Sequence, residues 1–189
     1  MYLTNFRSLL IVVSVAAIAM LSSINLAVCA QEKDSVATQF VKISGIHHIF
    51  AAGFIKGFRD SALANGTPQK VITCVEDKAT PESMLPLIAE AFETHSSEAE
   101  LRQAIAFYES EIGKTYLRYE GMRVKALMGL STEEPPAYSE REEEQIIAFE
   151  KTRAGNLIMS PASPVRATVK EKITSKMLKV YGECKGAKT

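Results

Sequence analysis

The stretch Ser97 to Leu117, SEAELRQAIAFYESEIGKTYL, constrains the chain most, because a degraded copy of it recurs at Ser139 to Met159, SEREEEQIIAFEKTRAGNLIM. The offset is constant at 42 residues (139 less 97) and pairs Ser97/Ser139, Glu98/Glu140, Glu100/Glu142, Gln103/Gln145, Ile105/Ile147, Ala106/Ala148, Phe107/Phe149 and Gly113/Gly155. Two copies make a pseudo-repeat, not a solenoid array, which needs about three units to bury a continuous core. Each copy opens with Ser-x-x-Glu. The Ser oxygen can accept from the third helical N–H while the Glu reaches back to the N–H of the cap, so each copy starts a helix. In the first copy Leu101, Ala104, Ile105, Tyr108 and Ile112 form one apolar stripe at helical spacing. Gly113 and Gly155 fall where a helix would end in a left-handed residue or approach a neighbour closely. Each unit is therefore expected to be helix, Gly turn, second helix, and the whole an all-α helical bundle with its pseudo-repeat at 97–117 and 139–159.

The run Ala106 to Lys114, AFYESEIGK, with Leu101 before it, resembles the signature of a bacterial envelope family known as domain of unknown function 2059. The resemblance implies an exported helical protein, and Phe107, Tyr108, Ser110, Gly113 and Lys114 are the residues that carry the motif. The family has no agreed activity to transfer. The second copy departs from the pattern, with Glu150 in place of the Tyr and Asn156 in place of the Lys.

Residues 1–30 read as a secretory signal peptide. Arg7 is their only charged side chain, Leu9 to Leu21 is almost unbroken apolar sequence, and Val28 and Ala30 stand at the small-residue positions before Gln31. Two other outcomes are retention of residues 9–28 as a membrane anchor, since about 20 apolar residues span a bilayer, and lipidation at Cys29. Polar Ser22, Ser23 and Asn25 argue against a span. Cleavage leaves a periplasmic chain, residues 31–189, that is 159 residues long, with 21 Lys and Arg against 22 Asp and Glu. That length suffices for one domain with an adequate core. Near-neutral charge gives no reason to expect a nucleic-acid partner. The charge is nevertheless segregated: residues 131–150 carry seven acids, and residues 166–189 carry seven bases. These read as solvated helix faces, which could lie near each other, in preference to a membrane or effector docking patch.

From Ser35 to Asn65 the residues Val36, Phe40, Ile43, His47, Phe50, Phe54 and Phe58 recur every three or four positions, which predicts a long helix central in the core, with Gly45 as a kink. Gly53 and Gly57, four apart, leave room for another helix to approach. His47 lies on the stripe and His48 about 100° away from it. With His95 as the only other imidazole, a structural or surface role is favoured over zinc, which needs three or four convergent ligands. A turn at Asn65 to Pro68 leads to a short helix around Val71 to Asp77. Thr80-Pro81-Glu82 then starts another, with Pro86 expected to bend it or to delay its start. In this front half Gly53 to Gly57, Asp60, Cys74-Val75 and His95 are also similar to periplasmic immunity proteins that neutralise cell-wall amidase toxins. Those proteins carry a Cys where Ala51 stands here.

The helix around Tyr116 should continue to about Gly129, with Pro135-Pro136 as linker. Ser163 and Pro164 should cap and begin a last helix with Val165, Val169, Ile173, Met177 and Tyr181 on one face. Cleavage removes Cys29 and leaves Cys74 and Cys184, an even pair in an oxidising compartment, expected to be joined. No Gly-x-Ser-x-Gly, His-Glu-x-x-His, phosphate loop or Cys-x-x-Cys occurs. The strongest catalytic set, Tyr108, Glu109, Ser110 and Lys114, is explained as well by a core aromatic, a solvated face and a helix end. The sequence reading is thus a non-enzymatic envelope protein that binds another envelope protein, without cofactor, catalytic residue or metal. After cleavage it keeps no stable membrane span, and its oligomeric state is open. An immunity-type inhibitor of a secreted toxin is the alternative, and an enzyme of unknown class the third.

Overall fold

The N-cap Ser35 begins the first helix, its Oγ accepting the Thr38 N–H at 3.2 Å. The computed structural model describes residues 34–186, so the leader, with its cleavage, anchor and lipidation alternatives, lies outside the described residues. Among the described residues there are nine helices and no strand. They are α1 (Val36–Ser44), α2 (Ile46–Ala64), α3 (Gln69–Lys78), α4 (Pro81–His95), α5 (Glu98–Glu109), α6 (Glu111–Leu127), α7 (Glu140–Glu150), α8 (Arg153–Met159) and α9 (Pro164–Gly186). None of them is long and apolar enough to cross a membrane. The all-α bundle expected from the repeat is the fold.

Gly45 does more than kink the predicted long helix. Its φ of +61° closes α1 in the left-handed region, and α2 starts afresh after it. The two pieces have different fates. α1 buries Ala37, Phe40 and Val41, and the Phe40 ring meets Phe92 edge-on at 4.8 Å and Tyr108 at 5.8 Å. α2 fully buries only His47, Ala51 and Ala62, so this half of the stripe is not central in the core as expected.

The centre belongs instead to α4, which packs against α1, α2 and α9 through Met84, Ile88, Ala89, Ala91 and Phe92. Thr80 caps it, accepting the Ser83 N–H at 3.2 Å, and the helix begins at Pro81 and runs through Pro86 without a break.

The two repeat units share one local construction. Ser97 and Glu100 form a reciprocal capping box: the Ser97 N–H donates to Glu100 Oε2 at 2.7 Å and the Glu100 N–H to Ser97 Oγ at 3.3 Å. Ser139 and Glu142 repeat it at 2.8 and 3.4 Å. At the far end of each first helix comes a corner in place of the expected Gly turn. The Ser110 hydroxyl donates to the Phe107 carbonyl at 2.6 Å and accepts the Gly113 N–H at 3.1 Å, stopping α5 and capping α6 with one side chain. Thr152 does the same between Phe149 and Gly155, at 2.7 and 3.0 Å. Gly113 and Gly155 have no positive φ. They are glycine because the turn before them leaves no room: a Cβ on either would sit 1.9 Å from the carbonyl oxygen of Phe107 or Phe149.

The units also meet symmetrically. α5 packs on α8 and α6 on α7, so the first helix of each copy lies on the second helix of the other. The equivalent residues Phe107 and Phe149 stack face to face, with centroids 3.9 Å apart and planes 3° from parallel. Contact between a residue and its own repeat mate is the pattern of a two-fold, isologous pairing.

α9 closes the bundle. Val165, Val169, Ile173, Met177, Val180 and Cys184 are buried, and Ser163 turns its hydroxyl back to the Leu157 carbonyl in place of capping the new helix. Lys172–Glu90 at 2.8 Å, His95 Nε2 to Thr168 Oγ1 at 2.8 Å and Lys78–Glu183 at 3.0 Å fix it to α4 and α3. The acids of 131–150 and the bases of α9 are mostly exposed, as solvated faces are, and among the described residues no ion pair joins the two runs.

Candidate binding groove

α2 and α9 both lie on α4, and their outward faces do not close over each other. The gap is an open apolar groove of about 660 Å³. Phe50, Gly53, Phe54, Gly57 and Phe58 form its α2 wall, Met177, Leu178 and Tyr181 its α9 wall, and Ser61, Asn65 and Thr67 a polar end. The α2 residues recur at three- and four-residue steps, so they hold one helix face. Phe58 and Tyr181 meet edge-on at 6.0 Å across the two walls. Among the described residues nothing takes the room that Gly53 and Gly57 leave for a helix: a Cβ on either would find no atom within 4 Å. Leu178 is 67% exposed and Leu63, toward the end of α2, 56%.

The charges around the groove are unequal. On α2, Lys56 pairs with Asp60 and Arg59 reaches Glu76 on α3, both at 2.6 Å. On α9, Lys170 lies one turn before Thr174 and Lys185 one turn after Tyr181, which places both on the helix face that lines the groove. Neither has an ion-pair partner among the described residues.

Cys74 on α3 and Cys184 on α9 stand as a disulfide pair, Sγ to Sγ 2.01 Å and Cα to Cα 5.8 Å. This is the covalent tie between the groove's α9 wall and the front half of the chain.

The motif residues of the first copy are dispersed, not convergent. Phe107 is in the stack with Phe149, and Ser110 and Gly113 make the corner. Lys114 pairs at the surface with Glu111 at 2.9 Å, and Glu109 is exposed. Tyr108 is 4% exposed and borders a second, smaller cavity of about 200 Å³ with Tyr116, Glu120 and Arg166. Burial pushes the Tyr108 phenol far above its ordinary range, and Tyr116 and Glu120 push it further. It therefore stays protonated near neutral pH, and Tyr116 does likewise for the same leading reason. The structure does not bring Tyr108, Glu109, Ser110 and Lys114 to one point.

His47 and His48 are adjacent, with ring centroids 4.1 Å apart, while His95 is bonded to Thr168. Among the described residues no group of three or more His, Cys, Asp and Glu is placed to hold a metal ion. His47 is 6% exposed and hydrogen-bonds through Nδ1 to the Val41 carbonyl at 3.1 Å. Burial lowers its pKa from the ordinary 6.5, the neighbouring His48 lowers it further, and the Val41 carbonyl and Glu82 oppose the shift. A base whose pKa falls on folding leaves the unfolded chain holding more protons, so stability is lost as pH drops below the unfolded value. Thermal melts at about pH 7.5 and about pH 5.5 are expected to show a lower Tm in acid, and His47→Gln, which keeps a donor for Val41, should flatten that difference.

Two features escaped the sequence reading. The hydroxyl pair Ser110/Thr152 obeys the same offset of 42, but an identity match passes over a Ser-to-Thr change. The groove stripe is visible in α2, while its missing cover is not.

Comparison with known proteins places these features. The family described as "Uncharacterized protein conserved in bacteria (DUF2059)" matches residues 82–134, bearing out the resemblance carried by Phe107 to Lys114. The matched stretch runs through α4, the first capping box, the Ser110 corner and α6. The groove walls and the second copy lie outside it. No curated protein and no solved structure matches the chain.

Proposed function

We propose that this chain is an exported, periplasmic, non-enzymatic protein that works by binding another envelope protein in the groove between α2 and α9. The observation that carries the reading is the pairing of half-exposed Phe50, Phe54 and Phe58 with two uncovered helix-interior glycines along one face. Glycine inside a helix costs about 0.5–1 kcal/mol relative to alanine, and at Gly53 and Gly57 no contact among the described residues offsets it. A recess of this form suits an inserted helix or apolar segment, the helix-in-groove mode of recognition. The leader of residues 1–30 supports export.

The test is quantitative capture from intact cells. Tagged protein, cross-linked before lysis, should retain a partner that Gly57→Phe loses by at least about tenfold, a difference of about 1.4 kcal/mol in binding. The variant itself should melt no lower, since a Cβ at Gly57 meets no described atom within 4 Å and the side chain faces the open groove. Equal capture by both proteins would defeat the groove as the binding site. A cell-wall amidase as the captured partner would favour the immunity reading.

A further inference from the structure

We infer that the groove's partner presents an amphipathic helix of about four turns whose apolar stripe is flanked at its ends by acidic residues; this rests on the binding role proposed above. The length comes from both walls. Phe50 to Asn65, the C-cap of α2, and Lys170 to Lys185 on α9 are each 16 residues, or 15 steps, about 22 Å at the helical rise of 1.5 Å.

The shape argues for a helix. Large side chains at Phe50, Phe54 and Phe58 stand beside gaps at Gly53 and Gly57, so bulk and void both recur at the helical period. A partner helix with the same period can seat a side chain at each gap, and the gaps let its backbone come close. The same residues suit a membrane surface poorly, because the phenylalanines line a recess in place of projecting from a convex face.

The charge gives the flanks. Lys56 with Asp60 and Arg59 with Glu76 neutralise the α2 side, which leaves Lys170 and Lys185 in line with the α9 wall as cations without an ion-pair partner among the described residues. Carboxylates opposite them would gain from steering and register, and a helix with basic flanks would be rejected by like charge.

Benzoylphenylalanine is placed at Leu178, in the groove, and in a separate protein at Ile147, which is exposed on α7. Each full-length chain is exported in cells and irradiated, and the adducts are identified by mass and by sequencing the cross-linked peptide. The Leu178 site should join a peptide with apolar residues at three- and four-residue steps and Asp or Glu flanking them. Lys170→Glu with Lys185→Glu should lower its yield about tenfold, and Lys→Arg at both positions should restore it. A cross-linked peptide without acids, a yield indifferent to charge reversal, a lipid adduct or a second copy of this chain would each overturn the inference. A protein adduct at Ile147 but not at Leu178 would leave a binding role standing and overturn this partner. No protein adduct at either position would overturn both.

Discussion

Gly113→Ala is expected to lower the melting temperature by about 10 °C or more, a larger effect than most single methyl additions produce. The added Cβ would lie 1.9 Å from the Phe107 carbonyl oxygen, 2.6 Å from the Tyr108 Cα and 2.7 Å from the Phe107 carbonyl carbon. All three are backbone atoms, so no rotamer change relieves the clash and the corner between α5 and α6 must open. Opening it lengthens both Ser110 hydrogen bonds and shifts the Phe107 ring away from Phe149. Overpacking contributes about 1–3 kcal/mol and each of the two hydrogen bonds about 0.5–1.5 kcal/mol, a total of about 2–6 kcal/mol. A domain of this size loses about 2–4 °C for each kcal/mol. Gly155→Ala should behave alike, since its Cβ would meet the Phe149 carbonyl oxygen at the same 1.9 Å. Gly121→Ala, on the same helix as Gly113 with nothing within 4 Å, is the control and should be neutral or slightly stabilising. Thermal melts of the three variants decide the matter; a Gly113→Ala protein as stable as wild type would mean that the corner is not built as described.

The second large effect is expected at Cys184. A disulfide with Cys74 closes a loop with a sequence separation of 110, for which chain entropy gives about 3–5 kcal/mol. Cys184→Ser should therefore lower Tm by about 10 °C and loosen the C-terminal turns of α9, leaving Lys78–Glu183 and the buried apolar face to hold that end. Labelling of the exported protein under denaturing, non-reducing conditions should find neither Cys74 nor Cys184 reactive. A third thiol, Cys29, should be seen only if the leader is retained. Two reactive thiols at Cys74 and Cys184 would show that the pair is not bonded. Weaker partner binding by Cys184→Ser would also be expected, because Tyr181, one turn earlier, belongs to the groove.

The periodic and local features of the fold were legible in the sequence for a physical reason: they depend on neighbours three or four residues away. Both capping boxes, the Thr80-Pro81 start and the inward set of α9 are of this kind. The expected pairing of Cys74 with Cys184 rested on compartment and count, not on distance. What failed involved competition between distant surfaces. The Val36 to Phe58 stripe is continuous in sequence, yet α1 is covered by α4 and α5 while α2 is covered on one side only. Periodicity shows which face of a helix is apolar and is silent on whether a partner exists to cover it. The acidic run of α7 and the basic run of α9 carry opposite charge, yet no ion pair joins them among the described residues. The orientation of α9 is set by its buried side chains and by the contacts of Lys172, Thr168 and Glu183 with α4 and α3. Surface attractions of order 1 kcal/mol do not override such a core.

The stack of Phe107 on Phe149 also explains why the repeat stops at two. A solenoid grows because each unit leaves an apolar face for the next. Here each unit turns part of its apolar surface toward its own mate, first helix against second helix and ring against equivalent ring, and α5 buries the rest against α1. The association is closed, and a third copy would find no free equivalent surface. In these terms residues 97–159 are a covalently tethered pseudo-two-fold dimer of two related units. A chain carrying a single unit would expose the face around Phe107 and should pair with itself, whereas the duplicated chain satisfies that face internally, with its tether through Pro135 and Pro136 holding both partners at high effective concentration.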